Sequence, residues 1–539
     1  MGYEDIFQYL GSYGPYQKRI HILLCLPSIL VAFHRLVGVF LLAVPSHRCL
    51  LSCDCETGLY NLSPEIINMT IPWDSKDKEW SSCERLDTNF TFDYFETGIP
   101  ATGKKKCESW VYDDTTYTSS IVTENNLVCD RKWLVPTGQS VFMLGDLLGS
   151  LVFGTLSDKY GRKITFILAL TLQVVFGLML AFLNDIVSFL ILRILIGMAT
   201  AGVFNSSYVI GIELVGPKKR ILAGVAVEFF WCIGYVILAG LAYCFRDWQT
   251  LQIITTVPGV IFLCYWWFIP ESARWLMAEG RSEEAKVILQ HAAKVNKVTL
   301  PDDVINRAMK SDRVEQQESL SILHILKHRN LRLRSLNIFF NWFAVCSVFY
   351  GLSLNTSNLG GNDYVNFLLS GLVEIPSYIV LMLTLNRLGR VPVLGSSVLL
   401  GSLTMFVIAA APEDMSWLTV TAAMIGKFAV SCSFATDFIF TLEMFPTVIR
   451  TAAVGAGATC ARFGSLISPY INMLDIYWKP LPSIIFGMFL LVAGLTAFLL
   501  PETLNKDLPD TMGDGEKLGI VNKSFQESTT QPEVLPNNN

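Results

Sequence analysis

Long apolar runs alternate with short polar breaks along this chain, and the runs are continuous rather than interrupted at every second residue. Twelve of them reach roughly 20 residues, the length an α-helix needs to cross about 30 Å of hydrocarbon. They lie near 20–44, 135–156, 164–183, 187–211, 221–244, 249–268, 336–354, 364–386, 391–411, 417–442, 451–474 and 480–500. Continuous runs predict spanning helices, because the strands of a membrane barrel alternate apolar and polar positions. The expected class is an all-α membrane protein with twelve transmembrane helices. Two polar stretches are long: one from about 45 to 134, after the first run, and one from 269 to 335, after the sixth.

A charged motif set recurs between the runs. The first copy reads GTLSDKYGRK (Gly154 to Lys163), GIELVGPKKR ending at Arg220, and PESARWL from Pro270. The second reads LNRLGR (Leu385 to Arg390), LEMFPTVIR ending at Arg450, and PETLNK from Pro501. Glu213 and Glu443 are 230 residues apart, as are Arg220 and Arg450, and Glu271 and Glu502 are 231 apart. One period held over three landmarks implies two copies of a six-helix unit. Parallel halves of this kind are the plan of a membrane carrier whose site lies between them near the midplane. The expected divisions are a terminus 1–19, a first bundle 20–268 containing loop 45–134, a loop 269–335, a second bundle 336–500 and a tail 501–539. The loop 269–335 is expected to hold short amphipathic helices, such as Glu283 to Val295. The tail ends QESTTQPEVLPNNN, with too few apolar residues to order itself.

Composition agrees: 52% of residues are apolar and 16% charged, with a mean hydropathy of +0.44. The net charge of −5 matters less than its distribution by side. Lys159, Arg162, Lys163, Lys218, Lys219, Arg220, Arg387 and Arg390 crowd the connections after the second, fourth and eighth runs. Asp185, Asp247, Asp363, Glu413 and Asp414 mark the alternate side. The excess of positive charge places both termini in the cytoplasm, and the first run reads as an uncleaved signal anchor. Loop 45–134 then faces outward. It carries Cys49, Cys53, Cys55, Cys83, Cys107 and Cys129, enough for three disulfides in any of 15 pairings. It also carries glycosylation sequons at Asn61, Asn68 and Asn89. Cys53-Asp54-Cys55 has no partnering pair at zinc-finger spacing. GIELVGPK has Pro217 where a phosphate loop needs lysine, and no Ser-His-Asp set appears. An enzyme is not expected.

GTLSDKYGRK resembles the signature of the major facilitator superfamily. RDWQTLQI, WWFIPESARWL, YGLSLNTSNLGGN, GLVEIPSY and MFPTVIR, with the cysteine-bearing first loop, are similar to the organic cation/anion/carnitine transporter family within it. The resemblance implies a polyspecific alternating-access carrier of small organic cations or zwitterions in the plasma membrane. It also implies a gate at which Asp158, Arg162 and Lys163 latch the outward-open state, joined by Glu213 with Arg220 and Glu443 with Arg450. The alternatives are an organic anion exchanger and, from another class, a ligand-sensing membrane receptor that does not translocate.

Ionisable residues inside spanning runs are functional candidates because an unpaired charge there costs several kcal/mol. They are Asp146, Glu228, Glu374 and Asp437, with His34, Arg35, Lys427 and Arg462. Glu374 matches the family's cation-contacting glutamate, and Asp437 is a second acidic candidate. Arg462 stands where anion and carnitine members carry arginine, and a guanidinium suits a carboxylate. Trp342, Phe349 and Tyr350, with Tyr208 and Trp231, are candidate faces for an ammonium; Trp342 matches a cavity tryptophan of the family. The expected partners are a small organic cation or zwitterion and the lipid bilayer, with no cofactor, metal or nucleic acid, and the residues name no coupling ion.

Overall fold

Twelve long helices follow the twelve apolar runs. They are α1 (Pro15–Leu41), α2 (Leu134–Tyr160), α3 (Arg162–Ala181), α4 (Ile186–Glu213), α5 (Arg220–Cys244), α6 (Trp248–Phe268), α7 (Arg329–Ser353), α8 (Asp363–Leu388), α9 (Arg390–Ala410), α10 (Ser416–Met444), α11 (Arg450–Asn472) and α12 (Leu481–Ala497). The computed structural model describes residues 3–51, 60–74, 79–90, 92–97, 101–305, 307, 322–412, 414–506, 508–509 and 511–517. Ten of the helices, α1 to α10, are long and apolar enough to cross a membrane. The shorter α12 is strongly apolar, and α11 is diluted by Gly, Ala, Thr and Ser.

Polar caps begin several helices. Asp185 accepts from Ser188 N at α4, Asp247 from Thr250 N at α6, and Asn362 from Tyr364 and Val365 N at α8. Helix α7 starts at Arg329 rather than near 336. Its first turns carry Arg329, Arg332 and Arg334, which end a hydropathy run but not a helix leaving the hydrocarbon. Bare backbones let α2 and α4 touch: a Cβ on Gly145 would lie 2.1 Å from the Ile194 carbonyl, and one on Gly197 2.3 Å from that of Phe142.

The repeat is visible in the turns. Gly161 (φ 104°) joins α2 to α3 and Gly389 (φ 100°) joins α8 to α9, both in a region L side chains avoid. Beside each turn a glutamate caps the next helix. Glu271 accepts from Arg162 N at 2.9 Å and Lys163 N at 3.1 Å, and Glu502 accepts from Arg390 N at 2.9 Å and Val391 N at 3.0 Å. Both helix N-termini thus gain a carboxylate on their positive end.

One face of the bundle carries these motifs, and on the other the described residues of the 42–133 loop form a small cap. In the cap, His47–Cys49 pairs with Trp110–Tyr112 and Glu84–Leu86 with Lys104–Lys106. Disulfides join Cys49 to Cys107 and Cys83 to Cys129. Cys53 and Cys55 lie outside the described residues; Asn61, Asn68 and Asn89 are exposed. Under the motif face run helices Ala273–Ala278 and Ser282–Asn296, the latter burying Ala285, Leu289, Ala292 and Ala293. The chain after Pro501, expected to be without order, returns to the bundle as far as Lys517. Glu516, in helix Met512–Lys517, accepts from Asn330 N and Leu331 N and so caps α7. Residues 518–539 lie outside the described residues.

Candidate functional site

Two acidic side chains occupy equivalent places in the two halves. Asp146 on α2 and Glu374 on α8 each precede their turn glycine, Gly161 or Gly389, by 15 residues. Both sit midway along their helices and both are buried. Their partners break the symmetry.

Asp146 lies between two guanidiniums. Arg35 Nη2 on α1 reaches Oδ1 at 2.5 Å, and Arg462 Nε on α11 reaches Oδ2 at 3.0 Å. The second bond crosses from one half to the other. Arg35 also donates to the Tyr350 hydroxyl at 3.3 Å and lies over Phe204 and Trp231. A carboxylate held by two arginines is paid back for burial by charged hydrogen bonds on both oxygens.

Glu374 has a different seat. Lys427 Nζ on α10 lies 2.9 Å from Oε1, outside hydrogen-bond alignment with it, and donates to Ser353 Oγ at 2.5 Å. The same ammonium lies 3.1 Å from the centre of the Phe349 ring and 5.9 Å from that of Tyr235. Across the seam Cys232 on α5 donates to Glu374 Oε2 at 3.6 Å, and Tyr235 donates to Ser370 at 3.1 Å. Glu374 and Lys427 are both fully buried. Cys232 is the repeat equivalent of Arg462: each stands 12 residues after the arginine that opens its helix. Where one seam carries a guanidinium at this position, the other carries a thiol.

The aromatic candidates divide. Phe349 forms the floor under the Lys427 ammonium and stacks on Phe434 at 6.0 Å. Tyr350 binds Arg35 instead. Trp342 is buried between α7, α10 and α11, its indole donating to Thr441 Oγ1 at 3.0 Å and its ring packed on Phe434 and Phe438. Tyr208 meets Phe438 across the halves, edge to face at 5.9 Å. Glu228 lies close enough to Arg35, Tyr378 and Glu374 to interact with each. Asp437 is fully buried on α10, and neither of its carboxylate oxygens has a hydrogen-bond partner among the described residues. His34 is buried in the first half, its backbone carbonyl accepting from Arg193.

The motif residues brace each half separately. Asp158 pairs with Arg162 at 2.8 Å, and Glu213 lies 3.8 Å from Arg162 while accepting from Ser272 Oγ at 2.5 Å. Arg220 pairs not with Glu213 but with Glu4, at 2.9 Å. In the second half Glu443 takes both Arg390 Nε (2.8 Å) and Nη2 (2.7 Å), and Arg450 donates to the Phe445 and Pro509 carbonyls. Lys163 lies over the Trp266 ring. Every ion pair on this face, among the described residues, joins residues of the same half. The cap face is closed across the halves. Tyr117 donates to Asp363 and Tyr364 to the Thr116 carbonyl, both at 2.8 Å; Phe40 stacks on Tyr364, and Ser140 donates to the Leu466 carbonyl at 2.9 Å. The site is therefore sealed from the cap side.

Sequence reasoning did not find Glu4, Tyr235, Cys232, Phe434 or Phe438 as parts of these contacts. The equal spacing of Asp146 and Glu374 from their turn glycines, and of Cys232 and Arg462 from their helix-opening arginines, was a readable signal.

The chain and its fold have known relatives. A family model for sugar (and other) transporters matches residues 87–511. The chain is 47% identical over 529 residues to an organic cation transporter protein of Drosophila melanogaster, covering 96% of this chain and 95% of that one. It is 35% identical over 523 residues to organic cation/carnitine transporter 2 of Homo sapiens, covering 95% and 93%. In architecture it is similar to a proton:xylose symporter bound to 6-bromo-6-deoxy-D-glucose, with a TM-score of 0.62 at 16% identity over 92% of this chain and 98% of that chain. A partially occluded inward-open xylose transporter from E. coli gives 0.61 at 16% identity, over 92% and 100%. The chain belongs to the organic cation/carnitine branch of the major facilitator superfamily and is a membrane transporter, not an enzyme.

Proposed function

We propose that this transporter carries small organic cations or zwitterions of the carnitine type across the plasma membrane by alternating access. The single observation that carries this reading is the seat at Glu374: a fully buried carboxylate at mid-membrane with a cation already resting between it and the face of Phe349. A carboxylate and an aromatic face are what an ammonium needs once it leaves water. The names of the relatives point the same way.

Both termini and the motif face are assigned to the cytoplasm, and the disulfide-bonded cap, with Asn61, Asn68 and Asn89 as sugar sites, to the outside. The cap-closed arrangement is then an inward-facing state, and Asp158, Arg162, Lys163, Glu213, Arg220, Glu443 and Arg450 form the cytoplasmic gate whose partners change when the halves rock. Glu374 and Phe349, with Trp342 and Tyr350 behind, receive the amine, and Asp437 is a deeper acidic site. Arg462, a carboxylate candidate by its chemistry, is committed here to Asp146 and to the Ala458 carbonyl. An organic anion exchanger needs Arg35 and Arg462 free together, whereas Asp146 holds both.

Uptake of radiolabelled tetraethylammonium and carnitine by cells expressing the wild type and Glu374→Gln tests the reading. Uptake of at least one substrate above untransfected cells, cut at least tenfold by the substitution, is expected. Unchanged uptake by a variant present at the surface would exclude Glu374 as the amine site.

A further inference from the structure

Lys427 is an addition to the repeated scaffold. It stands 16 residues before Glu443, and the residue 16 before Glu213 is Gly197. At Gly197 the first half closes α4 directly onto α2. At the equivalent place the second half carries a long cationic side chain that is fully buried. Packing does not require it, since glycine serves the same step of the fold.

We propose that Lys427 is a tethered ammonium that fills the amine seat of the empty carrier and thereby selects zwitterions over plain cations; the proposal rests on the amine site at Glu374. Three contacts define the seat: Glu374 Oε1 at 2.9 Å, Ser353 Oγ at 2.5 Å and the Phe349 ring at 3.1 Å. An incoming ammonium competes for each of them. A plain cation that displaces Lys427 leaves two positive charges competing for Glu374, while the neighbouring Glu228 is already engaged by Arg35 and Tyr378, and an uncompensated buried charge is strongly unfavourable. A zwitterion brings its own carboxylate to the displaced lysine, so both new charges and both old ones end paired.

The equivalent acidic site does not exchange in this way. Asp146 is held on both oxygens by guanidiniums from two helices, which one amine cannot replace. A lysine suits the exchangeable place: it is a point charge on a flexible four-carbon stem, where arginine is a fixed fork.

Carnitine and its methyl ester share one ammonium and differ in the free carboxylate, so the ratio of their inhibition constants against labelled carnitine uptake reads the proposed step. The wild type is expected to favour carnitine at least tenfold, and Lys427→Met to reduce that preference to threefold or less while tightening tetraethylammonium at least tenfold. Lys427→Arg, which keeps the charge but grips Glu374 with a fork, should weaken tetraethylammonium at least tenfold and guards against a methionine variant that fails to reach the surface. A wild type that binds ester and acid alike overturns the proposal. So does a tenfold preference that persists in Lys427→Met but vanishes in Arg462→Asp, because Arg462 is then the carboxylate anchor. Glu374→Gln separates the levels. If it leaves uptake intact, the amine site itself is wrong. If it removes uptake while the ester penalty survives Lys427→Met, only the role given to Lys427 falls.

Discussion

Replacing Arg462 by glutamine removes one bond between the halves and leaves Asp146 paired with Arg35, which belongs to the same half. The bond lost is the 3.0 Å contact from Nε to Oδ2, between side chains 16% and 7% exposed. A hydrogen bond between charged groups contributes about 1.5–3 kcal/mol, and the partial exposure of Arg462 argues for the lower part of that range, about 2 kcal/mol. The contact exists only while α2 and α11 are together on the cap side. Its loss should therefore favour the cap-open state by about 30-fold, at 1.4 kcal/mol per tenfold. Tyr364 is a suitable reporter: it is 7% exposed and packed against Phe40, Tyr117 and Tyr243 at the closed seam. In cells carrying Tyr364→Cys, a membrane-impermeant maleimide should label that cysteine at least tenfold faster with Arg462→Gln than without it. The exposed Cys244 serves as the reference for reagent access. Equal labelling within twofold, with both proteins at the surface, would refute the role given to this bond in holding the cap side shut.

Three further outcomes follow from the same geometry. Cys232→Arg puts a guanidinium at the mirror place of Arg462, beside Glu374; uptake should fall at least tenfold and Tyr364→Cys labelling should slow. Burial pushes the Glu502 carboxyl up, but backbone N–H groups of Arg390, Leu504, Val391 and Thr503 more than offset it and hold the group below the usual carboxylate range. A depressed pKa stabilises the fold fully above the unfolded value near 4.3 and is lost as pH falls through the folded one. The melting-temperature gap between wild type and Glu502→Gln in detergent should thus be constant from pH 7 to about 5.5 and shrink below about 4.3. Replacing Cys83 and Cys129 by serine opens the bridge across 46 residues and should cost about 2–5 kcal/mol of cap stability, read as faster proteolysis of the cap in intact cells.

The twelve long helices and the repeat were legible because hydropathy and motif spacing are local or periodic signals. Helix ends were less so: α7 runs out to Arg329 because its arginines interrupt apolarity without interrupting the backbone ladder. Interior chemistry was half legible. That Asp146, Glu374, Lys427 and Arg462 matter could be read from charge in an apolar run. Who pairs with whom could not, since Arg462 and Asp146 are 316 residues apart and meet only when two bundles dock. The same holds for Arg220, which finds Glu4 across 216 positions of sequence instead of the nearby Glu213. The return of the chain to Lys517 was missed because one carboxylate, Glu516 capping α7, and a few packed residues secure it rather than an apolar run.

Counterflow tests the central claim, movement of an amine through a site that faces one side at a time. Purified protein is placed in proteoliposomes loaded with unlabelled carnitine, and labelled carnitine is supplied outside. The account predicts a transient accumulation of label above its equilibrium level, absent in Glu374→Gln. Saturable binding of carnitine without any such overshoot would contradict it and would describe a receptor that holds its ligand without carrying it.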